Sequence, residues 1–366
     1  MSYTAEEMYS IWLNNVEGIG SARYYRLIAE FGSAQAVWEN LNDIRPEVIS
    51  RITSRAWQNL KAAHDEDALN ELLVRMEATG VRAVTTESPD YPAPLLNIYD
   101  APPVLYYKGA APLHYDRRIG IVGSRRATYD GKRAAREIAE QLSCSDVSVV
   151  SGMALGIDTE AHKGALKGTT PTVAVLGCGA DIPYPPSNAR LYEQILDEGG
   201  LILSEYPLGT KPVAGNFPPR NRIISGLCRG VLLVEGAKGS GAMITVDYAL
   251  DQGKDVFAVP GCIFSPMAEA PNQLIVEGAV PVLGADSILQ HYGWTGNPAE
   301  RTTRASVTLE GDEKRVAEAL YNEPLSFDEL IMQTGLPAGE LNTVLTMLEL
   351  RQIVERTEGN LYHLNL

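Results

Sequence analysis

The 366-residue sequence lacks several features that would define its class at once. Its four cysteines, Cys144, Cys178, Cys228 and Cys262, are widely spaced and form no CxxC pair, so nothing indicates a zinc site or a redox motif. We expect Cys178 and Cys228 to be small buried thiols. No apolar run reaches the ~18 residues of a membrane span, and no basic-then-apolar segment opens the chain. These absences predict a soluble, cytoplasmic protein in a reducing compartment, with no membrane partner.

Positive charge is also scarce, because 31 Lys and Arg residues face 46 Asp and Glu residues and the formal net charge is −15. That sum argues against a nucleic-acid partner. The distribution argues for one, because seven basic residues and a single acid, Asp130, lie between positions 117 and 136. A local basic patch, rather than the total charge, steers a polyanion to a protein. The seven are Arg117, Arg118, Arg125, Arg126, Lys132, Arg133 and Arg136.

Two common phosphate-binding fingerprints are missing as well. The segment EGAKGSGA at 235–242 is rich in glycine but lacks the G-K-[ST] order of an ATPase loop. No GxGxxG fingerprint for a dinucleotide occurs either. We therefore expect no cofactor and no metal. Gly239, Ser240 and Gly241 still form a glycine-rich cradle that suits an anion.

The region 118–261 contains short Val, Ile and Leu runs, each closed by a glycine-rich turn. Such runs are typical of parallel strands buried on both faces, and helices are predicted between them at 130–142, 159–166, 188–196 and 242–252. This repetition predicts an α/β fold with an extended Rossmann-like, doubly wound sheet. Segments 81–84 and 104–107 are expected to add strands at its rim. Ligands should bind beyond the carboxyl ends of the strands.

A further domain is predicted on each side of the sheet domain, which we place at 79–293. Residues 1–78 have helical spacing around a Gly18-Ile19-Gly20 turn, which indicates a helical domain of the SAM or helix–hairpin–helix type; a plain helical bundle is the alternative. The polar segment 294–308 is interpreted as a linker. Residues 309–366 predict a winged-helix domain. Because that domain has eleven acids and four bases, we expect protein contacts or a spacer role rather than DNA binding.

The glycine turns supply the candidate binding residues. Gly123, Ser124 and Arg125 follow the first strand, where a small-residue turn exposes N–H groups, the next helix presents its positive end, and an arginine can pair with phosphate. A tight turn with a solvated arginine is the alternative. Lys163, after the second turn, is another phosphate candidate, whereas His162 is expected to form structural hydrogen bonds. Tyr184, after the third turn, is expected to line the same opening.

The loop that ends near residue 220 places an aromatic ring beside cations. A base can stack on the ring while arginines hold backbone phosphates, as in many proteins that bind single strands. The alternative is structural, with the ring in the core and Arg220 paired with Glu205 or Glu235. The residues concerned are Phe217, Arg220, Asn221 and Arg222.

Several long motifs in one order resemble the DprA/Smf family of bacterial DNA-processing proteins: IVGSRRATYDG, VVSGMALGIDTEAHKGAL, FPPRNRIISGL, GAKGSGAMITVDYAL and DVFAVPG. The resemblance implies a protein that binds single-stranded DNA, protects it during natural transformation and loads the RecA recombinase, with no catalytic residue. It also implies a homodimer through the far edge of the sheet, here Leu274 and Ile275. The DNA-binding residues it implies are Ser124, Arg125, Lys163, Phe217, Arg220, Asn221, Arg222 and the 239–241 cradle.

The alternative function is enzymatic. A related Rossmann-like group hydrolyses nucleoside monophosphates with a P-G-G-x-G-T turn and a glutamate on the following helix. The comparable turn here is 235–241, and the helix at 242–252 carries only Asp247 and Asp251 as acids. Without that glutamate the hydrolysis lacks a base or nucleophile, so we predict a protein that is not an enzyme.

Overall fold

The computed structural model describes residues 3–41, 52–294, 309, 311–321, 324–351, 353–356 and 361–364. The chain divides into two compact units, residues 1–296 and 297–366. Apart from Trp294, the predicted linker at 294–308 lies outside the described residues.

Helices lead into the sheet of the first unit, and most of them begin at a side chain that caps the first turn. The Thr4 hydroxyl accepts the Glu7 N–H at the start of α1, and the Asp65 carboxylate accepts two N–H groups at the start of α5. Gly18, in the turn between α1 and α2, has φ +92° and its carbonyl accepts from Arg23 at 2.5 Å. The helices described here are α1 (Ala5–Asn15), α2 (Ser21–Phe31), α3 (Ala34–Glu39), α4 (Ser54–Ala62) and α5 (Glu66–Thr79).

One sheet dominates this unit, with strand order β1-β2-β6-β5-β4-β3-β7-β8-β9. Strands β3 to β9 are parallel, whereas β2 pairs antiparallel with β6 and with β1, so the predicted rim strands are confirmed. Because β4 lies on one side of β3 and β7 on the other, the winding reverses at β3. The strands are β1 (Arg82–Thr85), β2 (Val104–Gly109), β3 (Arg118–Val122), β4 (Ser148–Ser151), β5 (Val173–Val175), β6 (Leu201–Ser204), β7 (Gly230–Leu233), β8 (Asp255–Ala258) and β9 (Val280–Pro281).

Helices cover both faces of the sheet, which confirms the doubly wound fold. Ile119 and Ile121 of β3 pack with α6, α7 and α12, while Val122 belongs to a second cluster with α9, α10 and α11. Alternate residues of a strand point to opposite faces, so each cluster marks one face. These helices are α6 (Tyr129–Ser143), α7 (Ile157–Ala165), α8 (Ala189–Asp197), α9 (Phe217–Leu227), α10 (Met243–Asp251), α11 (Glu269–Val276) and α12 (Ala285–His291).

The second unit is a winged helix, as predicted. Its helices surround a core that includes Leu330, Leu341 and Leu348, and its strands pair antiparallel in the order β10-β12-β11. The elements are α13 (Gly311–Ala319), β10 (Leu325–Ser326), α14 (Phe327–Thr334), α15 (Ala338–Leu350), β11 (Val354–Arg356) and β12 (Leu361–Leu364). In the described parts of both units, no helix is long and apolar enough to cross a membrane.

Candidate nucleic-acid interface

Four turns meet at the carboxyl ends of the parallel strands, beside the point where the winding reverses. We call residues 123–127, 152–156, 177–181 and 235–241 the front edge. The Ser124 N–H donates to the Glu235 carbonyl at 2.8 Å, and the Ile157 N–H donates to the Ser124 carbonyl at 3.2 Å. Backbone hydrogen bonds therefore fix the first turn against its neighbours on both sides. A doubly wound sheet places its ligand at such a crevice.

Two glycines make this close approach sterically feasible. Gly156 has φ +81°, and a Cβ atom there would lie 2.2 Å from the Ser124 carbonyl oxygen. A Cβ on Gly123 would lie 2.6 Å from the Ile157 side chain and 2.9 Å from the Glu235 carbonyl oxygen. Only glycine fits these positions without moving backbone, because no other residue lacks a Cβ. The sequence pattern of small residues in these turns thus reflects packing between turns.

Phe217, the first residue of α9, holds an aromatic ring at the front edge. The Arg125 guanidinium carbon lies 5.6 Å from the ring centroid, within the range of a cation–π contact. Tyr184 stacks on Phe217 with centroids 5.5 Å apart and an interplanar angle of 28°. Gly177 leaves the space for this ring, because a Cβ there would lie 2.8 Å from it. Arg125, Phe217 and Tyr184 therefore form one cluster of two half-buried rings and an exposed cation.

The predicted basic patch of seven residues is smaller than the sequence suggests. Arg118 is buried and donates to the Leu113 and Pro112 carbonyls, so it is structural. Arg117, Arg133 and Arg136 pair with the carboxylates of Asp146, Glu137 and Glu160. Within the described chain, the exposed cations of this set with no carboxylate partner are Arg125, Arg126 and Lys132.

Arg220 is held inside the protein and is not presented to a DNA phosphate. It is 3% exposed, and its guanidinium donates to the Gly152 carbonyl at 3.0 Å and to the Val175 carbonyl. Its Nε donates to Asn221 at 3.1 Å, which also orients the half-buried Asn221 amide. Burial lowers the pKa of Arg220 to about 10, so the guanidinium stays charged at neutral pH. The side chain joins the carboxyl ends of β4 and β5 and lies 6.0 Å from the Phe217 ring.

Asp158 is the carboxylate that accompanies Arg220. It is buried at the first turn of α7, where it accepts the Gly152 N–H at 3.1 Å and the Ala154 N–H at 3.3 Å. Burial raises the pKa of Asp158 to about 6, although the charge of Arg220 and both N–H groups oppose that shift. The second glycine turn is thus held from inside by a buried carboxylate.

Arg222 is also unavailable, because it forms a buried bidentate pair with Glu205. The two contacts measure 2.6 and 2.7 Å, and the Arg222 side chain is 5% exposed. Its Nε donates to the Asp100 carbonyl at 3.0 Å. The structural alternative in the sequence analysis paired Arg220 with Glu205 or Glu235, whereas in the structure Glu205 forms its ion pair with Arg222. Bidentate pairing with a carboxylate matches the planar fork of arginine.

Lys163 lies away from the Arg125 cluster. It is six residues beyond Ile157 on α7, or about 9 Å along the helix. Its Nζ pairs with Glu160 at 2.9 Å, and Arg136 contacts the same carboxylate at 2.6 Å. Burial favours a higher pKa for Glu160, but hydrogen bonds from Lys163 and Arg136 hold that pKa below its usual range. The structure brings Lys163 into an ion-pair network rather than to the front edge.

The start of α6, predicted to face an anion, already carries a carboxylate. Glu235 accepts the Thr128 N–H at 2.8 Å and the Thr128 hydroxyl at 2.5 Å. Its carboxyl carbon would lie 2.2 Å from a Cβ on Gly131. A negative group near a helix N-terminus is favourable. Glu235 therefore occupies the position that a phosphate takes in many nucleotide-binding α/β proteins.

The cradle at 239–241 remains open to solvent. Nothing lies within 4 Å of a Cβ built on Gly239 or Gly241, and Gly239 has φ +74°. The Ser240 hydroxyl is buried without a hydrogen-bond partner among the described residues. His162, in contrast, is fully buried and shares a hydrogen bond with Thr172 at 2.9 Å. Burial lowers the pKa of His162 to about 3, so a neutral imidazole is expected at pH 7.

The predicted dimer contacts lie on α11, where the structure buries the principal one. Leu274 is 4% exposed and belongs to the core cluster, and the half-buried Ile275 packs against the same cluster. The Leu274 side chain is therefore not available to a second copy. Large apolar side chains are exposed instead after β8 and β9, at Ile263, Phe264 and Leu283.

Sequence analysis missed the structural roles of Asp158 and Glu235. For Asp158 a signal exists, since an acid in the first helical turn after a small-residue turn is suited to accept free N–H groups. For Glu235 there is no local signal, because its partner Thr128 is 107 residues away.

The fold and this edge define the class of the protein: a Rossmann-like α/β protein with a winged-helix unit. The family model described as DNA recombination-mediator protein A matches residues 82–293, and the DprA winged helix domain matches residues 300–360. The Smf protein of Synechocystis is 34% identical, and the match covers 98% of each chain. The chain belongs to the DprA/Smf family of DNA-processing proteins.

Other relatives agree with this assignment. The Smf protein of Escherichia coli is 36% identical over 80% of each chain. The crystal structure of DprA from Streptococcus pneumoniae matches with TM-score 0.64 and 31% identity, covering 79% of this chain and 98% of that one. A Helicobacter pylori DprA structure, described as revealing a single-stranded DNA binding mode, matches with TM-score 0.52 and 27% identity over 58% of this chain and 97% of that one.

Proposed function

We propose that this protein binds single-stranded DNA at its front edge and acts as a recombination mediator, protecting the strand and loading the RecA recombinase onto it during natural transformation. The observation that carries the proposal is the cluster of Arg125, Phe217 and Tyr184. It combines an exposed cation with aromatic rings at the crevice of a doubly wound sheet. The Helicobacter pylori relative, whose described subject is single-stranded DNA binding, supports the same ligand.

The chemistry of this cluster suits a single strand better than a duplex. Unpaired bases stack on aromatic rings whatever their identity, at about 1–3 kcal/mol per base. In a duplex those base faces are covered by their neighbours. Arg125, Arg126 and Lys132 supply the phosphate contacts, and the open cradle at 239–241 supplies backbone N–H groups. We propose that the buried Arg220 and Arg222 serve this site by positioning α9 and Phe217, without touching DNA.

We further propose that the protein is not an enzyme. The nucleoside monophosphate alternative needs a phosphate at a helix start and a carboxylate base nearby. The comparable turn, 235–241, leads into α10, which contains Asp247 and Asp251 but no glutamate. Asp158 is buried and held by two N–H groups. Binding of DNA at the front edge requires none of these groups to react.

The test is equilibrium binding of labelled oligo-dT to the full chain, with the same sequence as a duplex for comparison. We expect tight binding of the single strand that weakens steeply as salt rises, because each phosphate contact releases a counterion. Arg125→Ala should weaken that binding, whereas the matched control Arg190→Ala, an exposed cation on α8, should not. Equal affinity for both DNA forms, or no binding to either, would contradict the proposal.

We also propose a homodimer through the outer end of the sheet, supported by the apolar side chains exposed there. Leu283 is 87% exposed, and Ile263 and Phe264 are 82% and 87% exposed. A group of exposed apolar side chains at one end of a sheet is typical of an interaction site. A second copy would double the DNA contacts and thereby raise avidity. Sedimentation should show a monomer for Leu283→Arg and a dimer for Leu250→Arg, an exposed position on α10; a dimeric Leu283→Arg protein would place the interface elsewhere.

A further inference from the structure

A second group of cations lies at the opposite edge of the same sheet. Ile119 pairs with Gly230, and Gly230 with Asp255, across the adjacent strands β3, β7 and β8. The residues one position earlier are Arg118, Arg229 and Lys254, so three cations share one register position. In-register side chains on neighbouring parallel strands lie side by side, because the strands are about 4.8 Å apart. Positive charge is thereby concentrated at the amino ends of these strands.

Two adjoining cavities open at this edge, and we call them together the rear groove. Their volumes are about 280 and 490 Å³, and Asp116, Arg229, Gln252 and Lys254 line both. Pockets for small molecules commonly have volumes of about 300–1,000 Å³. None of the front-edge residues 123–127, 152–156, 177–181 or 235–241 lines either cavity.

The cations of the rear groove have few counter-charges. Within the described chain, neither Arg229 nor Lys254 pairs with a carboxylate, and the Arg229 side chain donates only to the Asp116 carbonyl at 3.3 Å. Burial, together with the nearby charge of Arg229, lowers the pKa of Lys254. Of the two carboxylates in the larger cavity, that of Asp255 accepts the Tyr292 hydroxyl at 2.7 Å. Two neighbouring cations without a carboxylate partner favour an anionic ligand such as phosphate.

The other groups of the groove suit a nucleobase. Trp294 and Tyr292 stack with centroids 4.3 Å apart, and both line the larger cavity. Gln252 donates through Nε2 to the Arg222 carbonyl at 3.0 Å, while its Oε1 is buried without a hydrogen-bond partner among the described residues. A buried acceptor without a donor is costly, and a base N–H group would satisfy it.

We propose that the rear groove is a nucleotide-binding site, with the phosphate between Arg229 and Lys254 and the base against the Trp294–Tyr292 pair. The ligand is either a free nucleotide or the phosphorylated end of a DNA strand, since both present the same chemistry. The site is separate from the front edge, so the inference does not rest on DNA binding there.

The test uses calorimetric titration of the full chain with dAMP, and with oligo-dT that carries or lacks a 5′-phosphate. To isolate the rear groove, the titrations are repeated in the Arg125→Ala background. The key variant combines Arg229→Ala with Lys254→Ala, and its matched control combines Lys167→Ala with Arg190→Ala, two exposed cations elsewhere. Thermal unfolding checks that every variant is folded. Trp294→Phe tests the aromatic wall, because a change in tryptophan fluorescence on ligand binding in the wild type should be absent from this variant.

We expect dAMP to bind the wild type and Arg125→Ala equally, or a 5′-phosphate to raise the affinity for oligo-dT by the same factor in both proteins, because front-edge binding is common to the two oligonucleotides. The rear-groove double variant should bind at least about tenfold more weakly, because it loses charge-assisted hydrogen bonds, and the control pair should bind as the wild type does. Binding of dAMP would identify a free nucleotide as ligand, and tighter binding of the 5′-phosphorylated strand without binding of dAMP would identify a DNA end. The proposal is overturned if no phosphorylated ligand binds up to millimolar concentration, or if the double variant matches its control. It is also overturned if Arg125→Ala abolishes both the binding of dAMP and the affinity gained from the 5′-phosphate.

Discussion

The two edges of one sheet carry similar charges on different frameworks. At the front edge the exposed Arg125 rests on glycine turns that interlock through backbone hydrogen bonds, with the buried cations Arg220 and Arg222 beneath. At the rear edge Arg229 and Lys254 stand in register at the amino ends of β7 and β8. The comparison shows that the role of a cation depends on its burial. The buried Arg220 and Arg222 stabilise the front edge, whereas the exposed Arg125 and Arg229 are available to bind an anionic ligand.

Removal of one arginine at each edge should give the largest difference in the free energy of unfolding. Arg222→Ala leaves the buried Glu205 carboxylate unpaired, so we expect a loss of about 3–5 kcal/mol in the free energy of unfolding. Arg229→Ala, at the rear edge, should change it by less than about 0.5 kcal/mol. Urea unfolding of the two variants measures both values. Similar stability losses in the two would break the comparison.

Glycine substitutions at the two edges should differ less in their effect on the free energy of unfolding. Gly156→Ala places a Cβ against the Ser124 carbonyl at φ +81°, so we expect a loss of about 2–4 kcal/mol. Gly253→Ala is the matched rear-edge control, with φ +65° and nothing within 4 Å of the new Cβ, and should cost about 1 kcal/mol. Urea unfolding again supplies the measurement. If Gly156→Ala is no worse than Gly253→Ala, the turns are not interlocked as described.

The framework of the front edge should also respond to pH through His162. The pKa of His162 is about 3 in the folded protein, whereas its ordinary value is 6.5. Below pH 6.5 the imidazole is therefore protonated in the unfolded chain and still neutral in the folded chain. The free energy of unfolding therefore decreases by up to about 1.4 kcal/mol for each unit by which the pH is lowered below 6.5. Asp158, with its pKa raised to about 6, has the opposite effect between pH 6 and its ordinary 3.8.

The two contributions are separated by comparing the wild type with His162→Gln, which retains Asp158. Relative to that variant, the wild type should lose stability steadily between pH 6.5 and pH 5 in urea titrations. Parallel pH profiles for the two proteins would show that His162 is protonated as readily in the folded state as in the unfolded one.

The sequence was sufficient to predict the strands, the glycine turns, the rim strands and the winged helix, because these depend on local patterns of apolar and small residues. It was not sufficient to predict which cations are exposed. Arg220 is buried through contacts with Gly152 and Val175, 68 and 45 residues away, and no local pattern encodes such partners. For Leu274 the limit was similar, since an apolar helix face can be turned to the core or to a partner, and only packing decides.

The most direct test of the front-edge account is the salt dependence of oligo-dT binding by Arg125→Ala and Phe217→Leu, measured beside the wild type. We predict that Arg125→Ala binds more weakly and lowers the slope of log affinity against log salt by about 1, as expected for one lost phosphate contact. Phe217→Leu should bind more weakly with the wild-type slope, because it removes base stacking and no charge. Wild-type affinity and slope for a folded Arg125→Ala protein would contradict the account and remove the front edge as the DNA site.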